Sequence, residues 1–357
     1  MAKKVFEGLK IADFSWFIVG PSIGKYFADF GATVVRVEST AHIDRLRQLA
    51  PYKDGIRGVN RSGYWNEFNS SKLSITLDTK KTLGRDIARK MALWADVVLE
   101  AYTPGVMPRL GLGYEDLKKI KPDIIMMSSS SRGQYGPFAR TPAFGHVAQF
   151  IAGFGHLTGW PDREPVGVYG PYTDFVTPWM LTATIIAALD YRRRTGKGQY
   201  IDVSAVESSI HALETAVLDY TVNGREQIRA GNRLPYAAPH GAFPCQGEDR
   251  WCVIAVFTDE EWASLCRVVG EPWTQDARFA TMAGRKKYEG ELEQLLGQWT
   301  MNYSAEEVMV RLQDAGVAAG VVQNGKDVHE DAQLKHRHHF WHLDHAECGR
   351  VAFSGPA

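Results

Sequence analysis

Asp174, in the run YGPYTDFVTPWM, is the residue whose type and neighbours point most directly to chemistry. A carboxylate flanked by Tyr169, Tyr172 and Phe175, in a stretch relieved by Gly167 and Gly170, is partly stripped of water. Such a group can act as acid, base or nucleophile. The competing reading is a helix N-cap, the common use of aspartate before an apolar helix. Thr177 and Pro178, however, offer a cap and a first-turn proline of their own. The spacing therefore predicts a helix from there to about Arg192 and leaves Asp174 in a loop just upstream. On the residues alone both readings stand.

Four other groups invite chemistry and lack the pattern that it needs. The opening turn SWFIVGPSIG has two glycines four apart, but bulky residues stand where a GxGxxG loop needs backbone access. That makes a nicotinamide site a poor fit, even though Glu38 ends the next strand where a ribose carboxylate would sit. The run from His336 to His345 holds five histidines interleaved with Phe340, Trp341 and Leu343, and reads as strand and loop rather than a metal centre. Cys245, Cys252, Cys266 and Cys348 form no CxxC pair, and Cys252 alternates with apolar residues as a core position does. Ser128 to Ser131 has no nucleophile-elbow GxSxG around it.

The elements that must position these groups alternate in type. Strands are expected over 9–14 and 33–37 around a helix over 21–30, then a helix over 87–94, a strand over 96–100, a helix over 114–120 and a strand over 124–128. A strand over 200–203 and a helix over 207–222 follow the long apolar helix. This β-α-β repetition predicts an α/β fold, an open Rossmann-like parallel sheet. Residues 131–172 are rich in glycine and proline, and so long an irregular stretch in a compact chain is usually functional. From about residue 223 the pattern shifts to strands over 251–257 and from 320, with helices over 259–269, 285–301 and 304–315. This predicts a smaller inserted α+β domain. The expected division is 1–222 for the large domain, 223–328 for the small one and 329–357 for a segment returning to the first.

The 357 residues balance 41 Lys and Arg against 41 Asp and Glu. A neutral chain is not built to displace the counterions of a nucleic acid, so no nucleic-acid partner is expected. No stretch approaches the roughly 20 apolar residues of a membrane span, and no apolar leader follows the first lysines. With few cysteines and none closely paired, the expectation is a cytoplasmic protein with reduced thiols and no membrane partner.

Taken together and in order, IADFSWFIVGPSIGKYFADFGATVVRVE, FNSSKLSITLD, ADVVLEAYTPGVMPRLGL, RGQYGPFA, the Asp174 loop, TGKGQYIDVS and GNRLPYAAPHGAFPCQGEDRW resemble the class III CoA-transferases, the formyl-CoA and carnitine CoA-transferase family. The resemblance implies that Asp174 is the nucleophile of a ping-pong exchange. It attacks an acyl-CoA thioester to give a mixed anhydride and then an aspartyl-CoA thioester, from which an acceptor acid takes the CoA. No tightly bound cofactor or metal is implied; the CoA thioester is a substrate. CoA contacts are implied at Phe17, Ile18, Lys72, Tyr102, Arg109 and Arg132, with Lys72 and Arg109 on the adenosine phosphates. Ile18 stands where formyl-CoA transferase has glutamine, which suggests a less polar acyl pocket.

The aromatic residues before Asp174 look like the subgroup that transfers CoA from succinyl-CoA to benzylsuccinate-like acids. The family's subunits interlock, so a homodimer or a heteromer with a related subunit is expected. Members usually continue for a few dozen residues beyond the point where this sequence stops, so a C-terminal tail is expected to be missing. Two alternatives accompany this reading. One is an acyl-CoA racemase or epimerase of the same fold, with His146 or His156 as base. The other is a non-catalytic partner subunit of a heteromeric transferase.

Overall fold

The computed structural model describes residues 4–355 and divides into two compact units. The first comprises Met1–Thr158, Pro165–Gln227 and His338–Ala357; the second comprises Gly159–Glu164 and Ile228–Arg337.

In the first unit, strands β1 (Lys10–Phe14), β2 (Thr33–Glu38), β3 (Leu73–Thr76), β4 (Val97–Glu100), β5 (Ile125–Ser130) and β6 (Tyr200–Ser204) form one sheet in the order β3-β2-β1-β4-β5-β6. Every pairing is parallel. Helices α1 (Val19–Asp29), α2 (Gly63–Asn69), α3 (Thr82–Trp94), α4 (Val106–Arg109), α5 (Tyr114–Lys118), α6 (Gly145–Ala152), α7 (Phe154–Leu157), α8 (Tyr172–Thr195), α9 (Ala205–Ile210) and α10 (Glu214–Asn223) lie between and after the strands. Successive side chains on a strand face opposite ways, so the central strands feed two cores. Ile11, Val97, Leu99, Ile125 and Met127 pack with α1 and α8 through Ile23, Phe27, Leu181 and Ile185. Ala12, Val98 and Met126 pack on the other face with Ala88, Ala92 and Leu117 of α3 and α5.

The strand order reverses between β1 and β4. At such a switch point the loops leaving the two strands diverge to opposite faces and open a crevice at their carboxyl ends. Residues 15–18 and 101–103 form its rims.

The second unit holds an antiparallel sheet of β7 (His240–Pro244), β8 (Trp251–Ala255) and β9 (Ala318–Val321). Its helices are α11 (Asp259–Val269), α12 (Met282–Lys287), α13 (Glu289–Thr300), α14 (Ala305–Asp314), α15 (Gly325–Glu330) and α16 (Ala332–His336). Capping boxes at Thr258–Glu261, Ser304–Glu307 and Asn324–Asp327 start α11, α14 and α15. Cys252 lies in this core with Ile254, Leu265 and Leu296. The unit reaches residue 337 rather than 328; Arg250 pairs with Asp327 of α15, and Gln323 donates to Asp331 ahead of α16 at 2.9 Å. It takes in Gly159 through the Gly231 amide.

The histidine-rich tail is an antiparallel hairpin of β10 (Phe340–His345) and β11 (Gly349–Ser354) in the first unit. Its turn is held where His345 Nδ1 accepts the Glu347 and Cys348 amides. No group of three or more His, Cys, Asp or Glu among the described residues is arranged to hold a metal ion. No helix among them is long and apolar enough to cross a membrane.

Candidate active site

Asp174 does not lie in a loop ahead of a helix. It occupies the first turn of α8, which begins at Tyr172, five residues before the expected cap. Pro178 is inside the helix, where it has no N–H to offer the Asp174 carbonyl four residues back. The first turn is anchored instead by Thr173, whose hydroxyl donates to the Gly145 carbonyl at 3.2 Å. The spacing misled because a threonine-proline pair is a good helix start that α8 does not use.

The Asp174 side chain is largely buried and pairs with no cation among the described residues. Burial pushes its carboxyl up to about 6. The first turn of a helix favours negative charge, so the ionised form is accommodated there without a counterion. Gly145, the first residue of α6, makes room for it. A Cβ at that position would stand 2.6 Å from Asp174 Oδ1 and 2.5 Å from the Pro171 Cβ.

Aromatic residues adjoin the Asp174 turn in sequence, Phe144 before Gly145 and Phe175 after Asp174. Phe144 meets Phe17 edge to face at 5.5 Å between centroids, and Phe175 lies 6.2 Å from Phe68. Phe17, Tyr64 and Phe68 pack together against a buried cluster of Ile18, Leu46 and Trp65. The structure thus brings Phe17 to the neighbourhood of Asp174 by way of Phe144 and Gly145. Ile18 is only 5% exposed, so its side chain belongs to that core cluster rather than to the wall of an acyl pocket.

Phe17 has φ 60, a left-handed conformation that costs a bulky residue roughly 1–2 kcal/mol. Its amide is not free for a ligand, because it donates to Asp44 Oδ2 at 3.1 Å. Ile18, at the N-cap of α1, supplies no capping side chain, so the first amides of that helix have no intrahelical partner. Gly20 in this turn stands so close to Ser15 that a Cβ would approach its side chain to 2.1 Å.

Lys72 departs from the expectation that it holds phosphates. Its side chain is 2% exposed, and its ammonium donates to Asp13 Oδ2 at 3.0 Å, the Pro21 carbonyl at 2.7 Å and Asn69 Oδ1 at 3.2 Å. With all three protons engaged it has none for a ligand. Burial pulls it down to about 8 even beside Asp13. Burial alone would raise Asp13, but Lys72, Arg36 and the Ser15 hydroxyl outweigh it and hold that carboxyl below its ordinary value. The physical reason is saturation: Lys72 precedes β3 and its ammonium reaches beneath the β1–α1 turn, where Asp13, Asn69 and the Pro21 carbonyl take it up.

The cations that do face open space lie past those ends. A cleft of about 440 Å³ is lined by Trp16, His42, Arg45, Leu77, Lys80, Tyr102 and Leu110, among others. Lys80 follows β3, is exposed, and has the His42 ring 2.7 Å from its ammonium. Tyr102 leaves β4 across the switch point from Trp16, which hydrogen-bonds its hydroxyl, and its amide donates to Glu100 at 2.7 Å. Arg109 ends α4, one residue before cleft-lining Leu110, with its side chain exposed. Arg132 stacks over Phe138 at 5.1 Å and has a buried Nε without a hydrogen-bond partner. Neither arginine pairs with a carboxylate among the described residues. His42, Arg45 and Lys80 were missed in the sequence. The signal that could have found them is a basic residue just past the carboxyl end of a strand next to the switch point.

The chain is similar to known proteins. The model of CoA-transferase family III matches residues 6–356. An acetyl-CoA:oxalate CoA-transferase of Acetobacter aceti is 35% identical, over 93% of this chain and 83% of its own length. A succinyl-CoA:D-citramalate CoA-transferase of Chloroflexus aurantiacus is 31% identical, over 91% of this chain and 80% of its own. The crystal structure of a CAIB/BAIF family protein from Brucella suis superposes with a TM-score of 0.89 at 29% identity, covering 99% of this chain and 97% of that one. The chain belongs to CoA-transferase family III and is a transferase of that class.

Proposed function

We propose that this chain moves CoA from an acyl-CoA donor, with succinyl-CoA the first to test, to a carboxylic acid, and that Asp174 carries the group between them. The observation that carries the reading is the Asp174 environment: a largely buried carboxylate without a cation, on a helix amino end, against a glycine that leaves its face open. A carboxylate poor in water and unpaired is a better nucleophile than a solvated one, and its pKa of about 6 leaves it mostly ionised at neutral pH.

In the first step an Asp174 oxygen attacks the thioester carbonyl, forming the anhydride and expelling CoA thiolate. The thiolate then attacks the aspartyl carbonyl, releasing the donor acid and leaving an aspartyl-CoA thioester. The acceptor carboxylate attacks that thioester, and the returning thiolate attacks the acceptor's acyl carbon, which frees Asp174. Each bond broken is replaced by one of similar energy, so the exchange needs no external energy source.

The cleft at the switch point is the proposed seat of the nucleotide, with Arg45, Lys80 and Arg109 toward the phosphates and Tyr102 beside the base. Arg132 is proposed as a further anion contact. The unpartnered first amides of α1 are suited to steady the developing thioester oxyanion. Exposed apolar side chains on α8 and α10, Trp179, Ile186, Leu218 and Val222 among them, support assembly with a second, related chain.

The test is steady-state kinetics with succinyl-CoA and a panel of acids. Parallel double-reciprocal lines, with transfer abolished in a folded Asp174→Asn variant, are expected. Intersecting lines would reject the free covalent intermediate, and exchange of deuterium into the α-carbon of an acyl-CoA without transfer would reject the reading in favour of racemase chemistry.

A further inference from the structure

Beneath the β1–α1 turn lies a closed group of charges. Asp13, Arg36 and Asp44 are each at most 1% exposed, and Lys72 joins them. Asp13 accepts the Ser15 amide and hydroxyl at the start of the turn, and the member that holds Phe17 is Asp44. Its Oδ2 accepts the Phe17 amide and an Arg36 nitrogen, its Oδ1 accepts the Leu46 amide, and its own amide donates to Glu38. Arg36 is held in turn over the Trp65 ring at 4.9 Å, with Arg47 on the same ring at 3.4 Å.

A left-handed phenylalanine persists only where its surroundings over-determine it. Here the backbone is fixed from below by Asp44, and the ring is fixed from above by Phe144, the residue before the glycine that abuts Asp174. The Phe17 amide has no other acceptor among the described residues, so nothing replaces Asp44 in holding the turn.

We propose that Asp44 is a positioning residue for acyl transfer: by holding the Phe17 amide it sets the strained turn, and with it the Phe17–Phe144 contact and the amino end of α1, against Asp174. This rests on the transferase reading. Asp44 touches no substrate; it acts through Phe17. Loss of its hold lets the turn relax toward ordinary backbone, and displacement of about 1 Å at a reacting centre is enough to slow chemistry up to about 100-fold.

The test uses the full chain and rapid quenching with succinyl-CoA, following the covalent adduct on Asp174. Asp44→Glu keeps a charge opposite Arg36 and moves the carboxylate by one methylene. Adduct formation is expected to slow at least about 10-fold, with KM for succinyl-CoA within about 2-fold of wild type. Phe17→Gly removes the backbone penalty, so the slowing caused by Asp44→Glu should shrink at least about 3-fold in that background. Arg36→Lys keeps the buried charge, loses part of the grip on Asp44, and should show the same signature at smaller size if Asp44→Glu does not fold. Equal slowing in both backgrounds, or a raised KM with an unchanged rate, overturns the proposal. A wild type that forms no adduct removes the transferase reading itself; a normal wild-type adduct with unaltered rates in the variants removes only this one.

Discussion

Two groups of positive charge sit near β2 and β3, and they differ in everything but residue type. Arg36 and Lys72 are enclosed, with Asp13 and Asp44 neutralising them and protein acceptors on all three Lys72 protons. Arg45 and Lys80 are exposed on the wall of a cleft, and neither pairs with a carboxylate among the described residues. The first group has the chemistry of a support and the second that of a ligand site. What separates them is where each residue falls relative to a strand's two ends. Asp174 is a third case: less enclosed than the first group and unpaired like the second.

The comparison breaks most visibly at Lys72. Lys72→Met strands Asp13 in a buried site with Arg36 as its remaining cation, 3.5 Å away. Denaturant unfolding should show a loss of roughly 3–5 kcal/mol, with the KM of the surviving folded protein little changed. A variant of wild-type stability with a raised KM would move Lys72 into the ligand site.

Asp174 gives the next effect, with the opposite sign. Its folded-state value of about 6 lies above the ordinary 3.8, so the folded protein holds that proton more tightly than the unfolded chain does. The stability this contributes is present below about pH 4 and lost as pH rises through about 6. Asp174→Asn should therefore be more stable than wild type at pH 7.5 by on the order of 2 kcal/mol, with the gain shrinking as pH falls toward 4. Thermal melts across that range check it. Transfer by the wild type should also fall away below about pH 6, as the carboxylate takes up its proton.

At the open cleft, Lys80→Ala should raise KM for both CoA thioesters about 10-fold, with kcat and melting temperature near wild type. The smallest effect is that of salt. Between about 0.05 and 0.5 M, KM for the thioester should rise a few-fold in wild type and less in Lys80→Ala, because exposed charges are screened and enclosed ones are not.

Much of this architecture was legible. The strands Lys10–Phe14 and Val97–Glu100 are short, mostly apolar and mostly buried runs between turn signals, so the parallel sheet could be read from them. β3 could not: it is an edge strand of only four residues, Leu-Ser-Ile-Thr, mostly exposed, and its alternation is too short to stand out from the polar residues around it. Without β3 placed, nothing in the segment FNSSKLSITLDTKK distinguishes Lys72 before the strand from Lys80 after it. Asp174 was legible from its aromatic neighbours. Its place on a helix was not, because Pro178 imitates a start that lies six residues earlier. Ile18 was read from its place in the turn, while its direction is decided by Leu46 and Trp65, which are distant in sequence.

The most direct measurement is the mass of the Asp174 peptide after incubation with succinyl-CoA. Wild-type protein quenched with hydroxylamine should carry a hydroxamate on Asp174, and untreated protein should carry the mass of CoA on the same residue. Both should be absent in Asp174→Asn. An unmodified Asp174 in a preparation that is transferring CoA, or a label on any other residue, would contradict the account.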